Sequence, residues 1–169
     1  MHAPLYPTYR VEWRGLAALE SIVHEWRELA ARALEPNVFY EPAFALAAAP
    51  VFGADAGAVL VRSATGRLAG LFPARIERWR GGLSAMLVGW THPFAPLGTP
   101  LVDRDEPEAV IAAWLDHLSH DPAMPAQLLL PLVPEHGAFA HALDAVLADD
   151  NRSSAAVDHH ERALLAPGA

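Results

Sequence analysis

Apolar side chains recur at Leu16, Leu19, Ile22, Val23, Trp26, Leu29, Ala33 and Leu34, three and four residues apart. That spacing defines one helix stripe. Residues 8–13 (TYRVEW) before it read as a short strand, ended by Arg14 and Gly15. Pro36 stops the helix and Asn37 supplies turn chemistry. FYEPAFALAAAPVFG then reads as a shorter helix, with Pro42 in its first turn and Pro50 and Gly53 closing it. At GAVLVRS (57–63) the pattern becomes a continuous, β-branched run, as in a strand buried on both faces. LAGLFPARIERW (68–79) is its hairpin partner, and Pro73 within it predicts a bulge or an unpaired edge. LSAMLVGW (83–90) is the next strand.

An apolar loop follows, GWTHPFAPLGTPLVD (89–103), with neither helix nor strand period. Glu106 to His120 form a helix with Val110, Ile111, Trp114, Leu115 and Leu118 inward, Asp103 or Asp105 capping it and Pro107 in its first turn. AQLLLPLVP (126–134) predicts another buried strand, and residues 135–150 a helix with Phe139, Leu143, Val146 and Leu147 on its stripe. The tail, 155–165, alternates weakly, as an edge strand does. The resulting order is β-α-α-β-β-β-α-β-α-β. An antiparallel meander followed by β-α crossovers predicts an α/β (α+β) fold with a mixed sheet.

The chain has 169 residues, the size of one domain, and a net charge of −8. It contains no cysteine, which removes disulfides, thiolate metal sites and a cysteine nucleophile. All basic residues are arginine, so Schiff-base chemistry and a P-loop lysine are excluded as well. The acidic balance, with arginines scattered, argues against nucleic acid or an anionic membrane as partner. The start lacks a signal-peptide pattern, and no apolar run reaches the roughly 18 residues of a membrane span. These features predict a soluble, cytoplasmic domain.

The element order is that of the GNAT acyltransferase fold, and several segments resemble one group within it. WRELAARALEPNVFYEPAFALAAAPVFG is similar to the N-terminal signature of the CelD-like acetyltransferases of bacteria, a family tied by name to cellulose and exopolysaccharide synthesis; the matching positions are Trp26, Leu29, Asn37, Phe39 and Pro42. GRLAGLFPARIERWRGG, GWTHPFAPLGTPLVD and AAWLDHL resemble family segments in the same order, and the similarity runs from about Trp13 to Leu165. The resemblance implies a tandem arrangement, in which a degenerate first half precedes a second, basic half carrying the acyl-CoA site. On that reading residues 1–169 form a single GNAT-like domain, the first half of a longer N-acyltransferase. It is expected to need no cofactor alone, with acetyl-CoA or acyl-CoA belonging to the full-length protein. Its partner is then the missing C-terminal half, or a second copy by self-association. A sugar or amine is the expected acceptor.

A working GNAT domain cradles the CoA pyrophosphate between its fourth strand and third helix, where glycines let backbone N–H groups converge on phosphate. The equivalent stretch here reads Trp90-Thr91-His92-Pro93-Phe94-Ala95-Pro96-Leu97-Gly98-Thr99-Pro100. Three prolines remove three donors, only Gly98 adopts φ > 0 freely, and Asp103, Asp105 and Glu106 repel phosphate. The loop is therefore read as something other than a CoA cradle. One role is a wall of an acceptor pocket, with Trp90, His92 and Phe94 as ring faces and Thr91, Thr99 and His92 as hydrogen-bonding groups. The plainer alternative for Trp90 and Phe94 is core packing, whereas His92 needs a partner or a ligand.

Asn37, Phe39, Tyr40 and Glu41 lie at the break between the first two helices, where a GNAT domain commonly receives its acceptor. Asn37 reads as a turn residue, Tyr40 as a half-buried phenol able to bind a ligand, and Glu41 as a base or as helix N-terminal charge. His117, His120, His159 and His160 lack zinc-site spacing and read as surface or cap histidines. Three functions stay open in turn: the N-terminal half of an N-acyltransferase, a free-standing non-catalytic binding domain, and an acetyltransferase active alone. The missing cradle ranks the third last.

Overall fold

The computed structural model of the chain describes residues 9–79, 84–159 and 161. Strands β1 (Arg10–Gly15), β2 (Ala56–Arg62), β3 (Leu68–Trp79) and β4 (Ser84–Gly89) form an antiparallel meander. A two-residue strand, β5 (Leu101–Val102), pairs antiparallel with Gly70 and Leu71 of β3. Strand β6 (Gln127–Leu129) joins parallel to β4, completing a mixed sheet of order β1-β2-β3-β4-β6. The predicted α/β class with a mixed sheet is the fold observed.

Side-chain alternation divides the interior in two. Ala56, Ala58 and Leu60 of β2 face the first two helices, while Val59 and Val61 face the last two. Helices on both faces explain why β2 is one unbroken buried run. On the first face, Leu16, Leu19 and Ile22 lie on a 3₁₀ segment (Leu16–Ile22) that passes into helix α1 (Val23–Ala31). The spacing accounts for the switch: 16, 19 and 22 recur at three, the 3₁₀ period, whereas 22, 26, 29 and 33 alternate four, three and four. A second 3₁₀ turn (Val38–Tyr40) leads into helix α2 (Pro42–Phe52), which runs on through Pro50 and closes at Gly53. On the other face, helix α3 (Pro107–His120) buries all five expected residues, and α4 (Ala138–Asp149) packs on α3. Phe139 and Val146 of the α4 stripe are buried, Leu143 and Leu147 half-buried.

Pro73 stays in register with Ala58. Its carbonyl accepts from Trp90 N at 2.9 Å, so its missing N–H faces that same edge, in the gap where β3 changes neighbour from β5 to β4. The bulge of the β2–β3 pair lies between Val61 and Arg62 instead.

Three expectations need correction. Only Gln127–Leu129 of 126–134 pairs as strand, and it is half-buried, because Pro131 removes a donor and the chain turns away. Residues 155–159 and 161 of the tail are irregular, and the remainder of that segment lies outside the described residues. Asp103 caps no helix: its Oδ2 takes Arg32 Nε at 2.8 Å and Arg67 Nη2 at 3.0 Å. Asp103 is buried, and a buried carboxylate without cations beside it would be costly, so this pairing governs where the start of β3, β5 and the end of α1 meet. Asp105, whose N–H donates to Asp103 Oδ1 at 3.2 Å, makes no cap either.

Candidate functional site

β4 and β6 are parallel neighbours, and in an open α/β sheet the crevice beyond the carboxyl ends of such strands is where ligands enter. Here the 90–100 loop occupies that crevice. Gly98 N donates to Leu132 O at 3.1 Å, and a Cβ at Gly98 would stand 2.0 Å from Pro131 O. Gly98 is thus required for close approach; the described left-handed glycine is Gly66. Leu132 takes the left-handed conformation itself, at φ 60°, to present its carbonyl. For a branched residue this is an uncommon, strained state, held by its surroundings.

The same residues do not fit an acyl-CoA cradle. Pro93, Pro96 and Pro100 donate nothing. The N–H groups of Trp90, Phe94, Ala95 and Gly98 are used on Pro73 O, His92 Nδ1, His92 O and Leu132 O. The first turn of α3 offers Pro107 and carries Glu106 and Glu108, which oppose an anion.

The loop is anchored by Asn37, which is buried. Its Oδ1 accepts from Phe39 N at 3.0 Å, the turn role expected of it. Its Nδ2 also donates to Leu97 O at 3.1 Å and Thr99 O at 2.8 Å, which fixes the loop from across the fold. Tyr40 is wholly buried rather than half-buried. Its hydroxyl donates to Trp90 O at 2.6 Å, its carbonyl accepts from Trp26 Nε1 at 2.8 Å, and burial holds its phenol pKa well above the usual value. Trp90 is equally interior: its ring lies parallel to Tyr40 at 6.4 Å and its Nε1 donates to Phe52 O at 2.9 Å. Both are braces inside the protein.

Phe94 departs from the core reading, being 69% exposed. Beside it stands His92, whose ring lies parallel to Phe52 at 4.4 Å and to Phe44 at 6.0 Å. Phe94 meets Phe52 at 5.8 Å, and Phe39 meets Phe44 edge-on at 5.1 Å. His92 Nδ1 accepts from Phe94 N at 3.3 Å, which leaves the ring proton on Nε2. That Nε2 is buried and has no partner among the described residues, and desolvation holds the imidazole pKa below its ordinary value. The site therefore presents a neutral imidazole donor among four phenylalanines. Thr99 Oγ1 is a second buried polar atom without a partner among the described residues. Thr91 is half-buried. Glu41 is exposed; its carbonyl receives Phe44 N and Ala45 N at the start of α2, and its side chain makes no cap bond.

Of the expected site residues, the structure brings His92 and Phe94 onto one surface, with Glu41 exposed at the start of the helix that carries Phe44 and Phe52. Tyr40 and Trp90 lie beneath them as support. Sequence reasoning missed Phe44 and Phe52, which sit on the α2 stripe and were absorbed into a core helix. It also missed Glu35, whose carboxylate accepts Ala138 N at 3.1 Å and Phe139 N at 3.2 Å and so caps α4. No group of three metal-ligating side chains occurs among the described residues. His117 Nε2 faces Asp121 at 3.5 Å, and His120 Nδ1 lies 2.8 Å from Asp116 O. No helix among the described residues is long and apolar enough to cross a membrane.

This architecture is the GNAT acyltransferase fold. The chain is similar to the structure of ribosomal-protein-alanine N-acetyltransferase from Brucella melitensis biovar Abortus 2308, with a TM-score of 0.51 and 14% identity over 93% of this chain and 100% of that one. A second similar structure is glucosamine-6-phosphate N-acetyltransferase from Arabidopsis thaliana, with a TM-score of 0.43 and 12% identity over 92% and 98% of the two chains. At such identities the likeness is one of fold. No protein-family model and no curated protein sequence matches the chain.

Proposed function

We propose that this chain is the acceptor-side, cofactor-free domain of a CelD-like, acyl-CoA-dependent N-acyltransferase, inactive by itself, and that a second GNAT-like domain supplies acyl-CoA. The observation that carries the reading is the aromatic, sparsely charged end of the sheet. Phe94, Val51 and Val38 are 69%, 72% and 55% exposed and flank the rings of Phe39, Phe44, Phe52 and His92. Residues 36–52 and 84–102, which build this end, carry a single charged side chain, the exposed Glu41 at the start of α2. Phe94, Val51 and Val38 are three of the large apolar side chains left exposed among the described residues, and exposed apolar patches mark interaction surfaces. A docked domain would cover Phe94, and a shift of the surrounding rings that uncovers the buried His92 Nε2 would make it a donor for a neutral oxygen of the acceptor, a sugar or an amine-bearing precursor.

The test is the mass of the protein in its source cells, read with an antibody raised against this chain. A species about twice this size supports the proposal. A species of this size alone overturns it in favour of a free-standing binding domain. Calorimetry with acetyl-CoA checks the cofactor assignment: no saturable heat is expected, and saturable binding would show that the crevice opens.

A further inference from the structure

We propose a second binding site on the opposite face of the sheet, a concavity that takes a neutral pyranose ring on the indole of Trp13. It does not rest on the function proposed above. The concavity, of about 550 Å³, is lined by Trp13, Asp55, Ile76 and Arg78. That volume lies within the roughly 300–1,000 Å³ of small-molecule sites.

The sheet register explains the hollow. Gly57 of β2 pairs with Ala74 of β3, so two neighbouring strands contribute almost no bulk at this level. Trp13 of β1 leans into the space: a Cβ at Gly57 would lie 2.5 Å from its Cζ2 and 2.8 Å from its Cε2. One part of the indole therefore rests on the β2 backbone, and the side chain as a whole is only half-buried, as is Ile76. Asp55 and Arg78 are exposed, at the level where β2 begins and two residues beyond Ile76. Among the described residues neither charged group has a hydrogen-bond or ion-pair partner, although both border one hollow.

Charge decides the class of ligand. An anion meets Asp55 on a chain of net charge −8, and a cation meets Arg78. A purely apolar ligand would cover two unpaired charges and give them nothing in return. A neutral polyol answers both, because hydroxyls donate to the Asp55 carboxylate and accept from the Arg78 guanidinium while the C–H face of the ring packs on the indole.

The test is an amide and indole NMR titration of the chain with the methyl pyranosides of glucose, galactose and mannose at millimolar concentrations, with alanine as a zwitterionic control. At least one glycoside is expected to shift the Trp13 indole signal and the amides of Asp55, Gly57 and Ile76 saturably. Asp55→Asn and Arg78→Ala, both at exposed positions and therefore safe for folding, are each expected to weaken binding about tenfold or more. No saturable shift with any glycoside, shifts indifferent to both surface variants, or binding of alanine in place of the sugars would each overturn the proposal. Failure here leaves the mass and calorimetry tests of the function untouched.

Discussion

Replacing Asn37 by alanine removes three hydrogen bonds at once and should loosen the loop that fills the crevice. The bond to Thr99 O is buried, and those to Leu97 O and Phe39 N are partly buried. Stranding a buried carbonyl costs about 1–3 kcal/mol, and losing each of the two less buried bonds about 0.5–1.5 kcal/mol. The sum is about 2–6 kcal/mol, near 4 at mid-range, a large part of the roughly 5–15 kcal/mol that stabilises a domain. At about 2–4 °C per kcal/mol for this chain length, Tm should fall by about 10 °C. Urea unfolding followed by circular dichroism gives the free energy directly. Asn37→Asp sharpens the test: it keeps the acceptor for Phe39 N but turns a carboxylate oxygen on two carbonyls, so at neutral pH it should be at least as damaging. Acidification should recover part of its deficit, because the protonated acid can donate once. A loss below about 1 kcal/mol for the alanine variant would refute the reasoning and reduce Asn37 to a local turn residue.

Gly98→Ala forces a methyl to 2.0 Å from the Pro131 carbonyl, so the loop or the 131–132 turn must shift; a loss of about 1–3 kcal/mol in the same unfolding assay is expected, and a neutral variant would contradict the packing described. Glu35→Ala should cost about 1–2 kcal/mol and Glu35→Gln less, because glutamine keeps one of the two accepting oxygens while losing the other and the charge at the helix N-terminus. His92 is held neutral in the folded chain, its pKa lowered by desolvation, so the unfolded state binds its proton first as pH falls. Its contribution to stability is therefore complete above the ordinary histidine value near 6.5 and declines as pH falls below it, until the folded imidazole also protonates. Urea-unfolding free energies measured against pH should show a shallower slope in that window for His92→Gln than for the unmodified chain, and parallel profiles would refute the assignment.

What could be read in the sequence was what periodicity and breakers control. The α3 stripe was legible because five apolar residues recur at the helical period, and β2 because nothing polar interrupts it. The 3₁₀ start of the first helix was present in the three-residue spacing of Leu16, Leu19 and Ile22, but it merged into a longer stripe. AQLLLPLVP misled because Leu128, Leu130 and Val133 pack against the core while only three residues form ladder bonds. The site was less legible, since its parts meet across long separations. Tyr40 reaches Trp90, 50 residues on, and Asn37 reaches Thr99, 62 residues on. No local pattern announces either bond. Asp103 looked like a cap because its partners, Arg32 and Arg67, sit on other elements.

A loop that binds phosphate must keep its N–H groups free and convergent, whereas a loop that seals a crevice must commit them inward. The 90–100 segment has prolines at three positions, N–H groups of Trp90 and Gly98 bonded to neighbouring strands and turns, those of Phe94 and Ala95 bonded back to His92, and a glycine in contact with the 131–132 turn. Sealing has a consequence at the surface. With Tyr40 and Trp90 used as braces, the rings that remain, His92, Phe94, Phe44 and Phe52, are carried outward on a rigid support instead of lining an enclosed pocket. Such a surface holds a ligand only weakly by itself, because one side of the ligand stays in water. Completion by a second molecular surface would bury these rings and enclose the ligand on both sides. The second domain proposed above would answer both features at once, covering the open aromatic face while the crevice stays sealed.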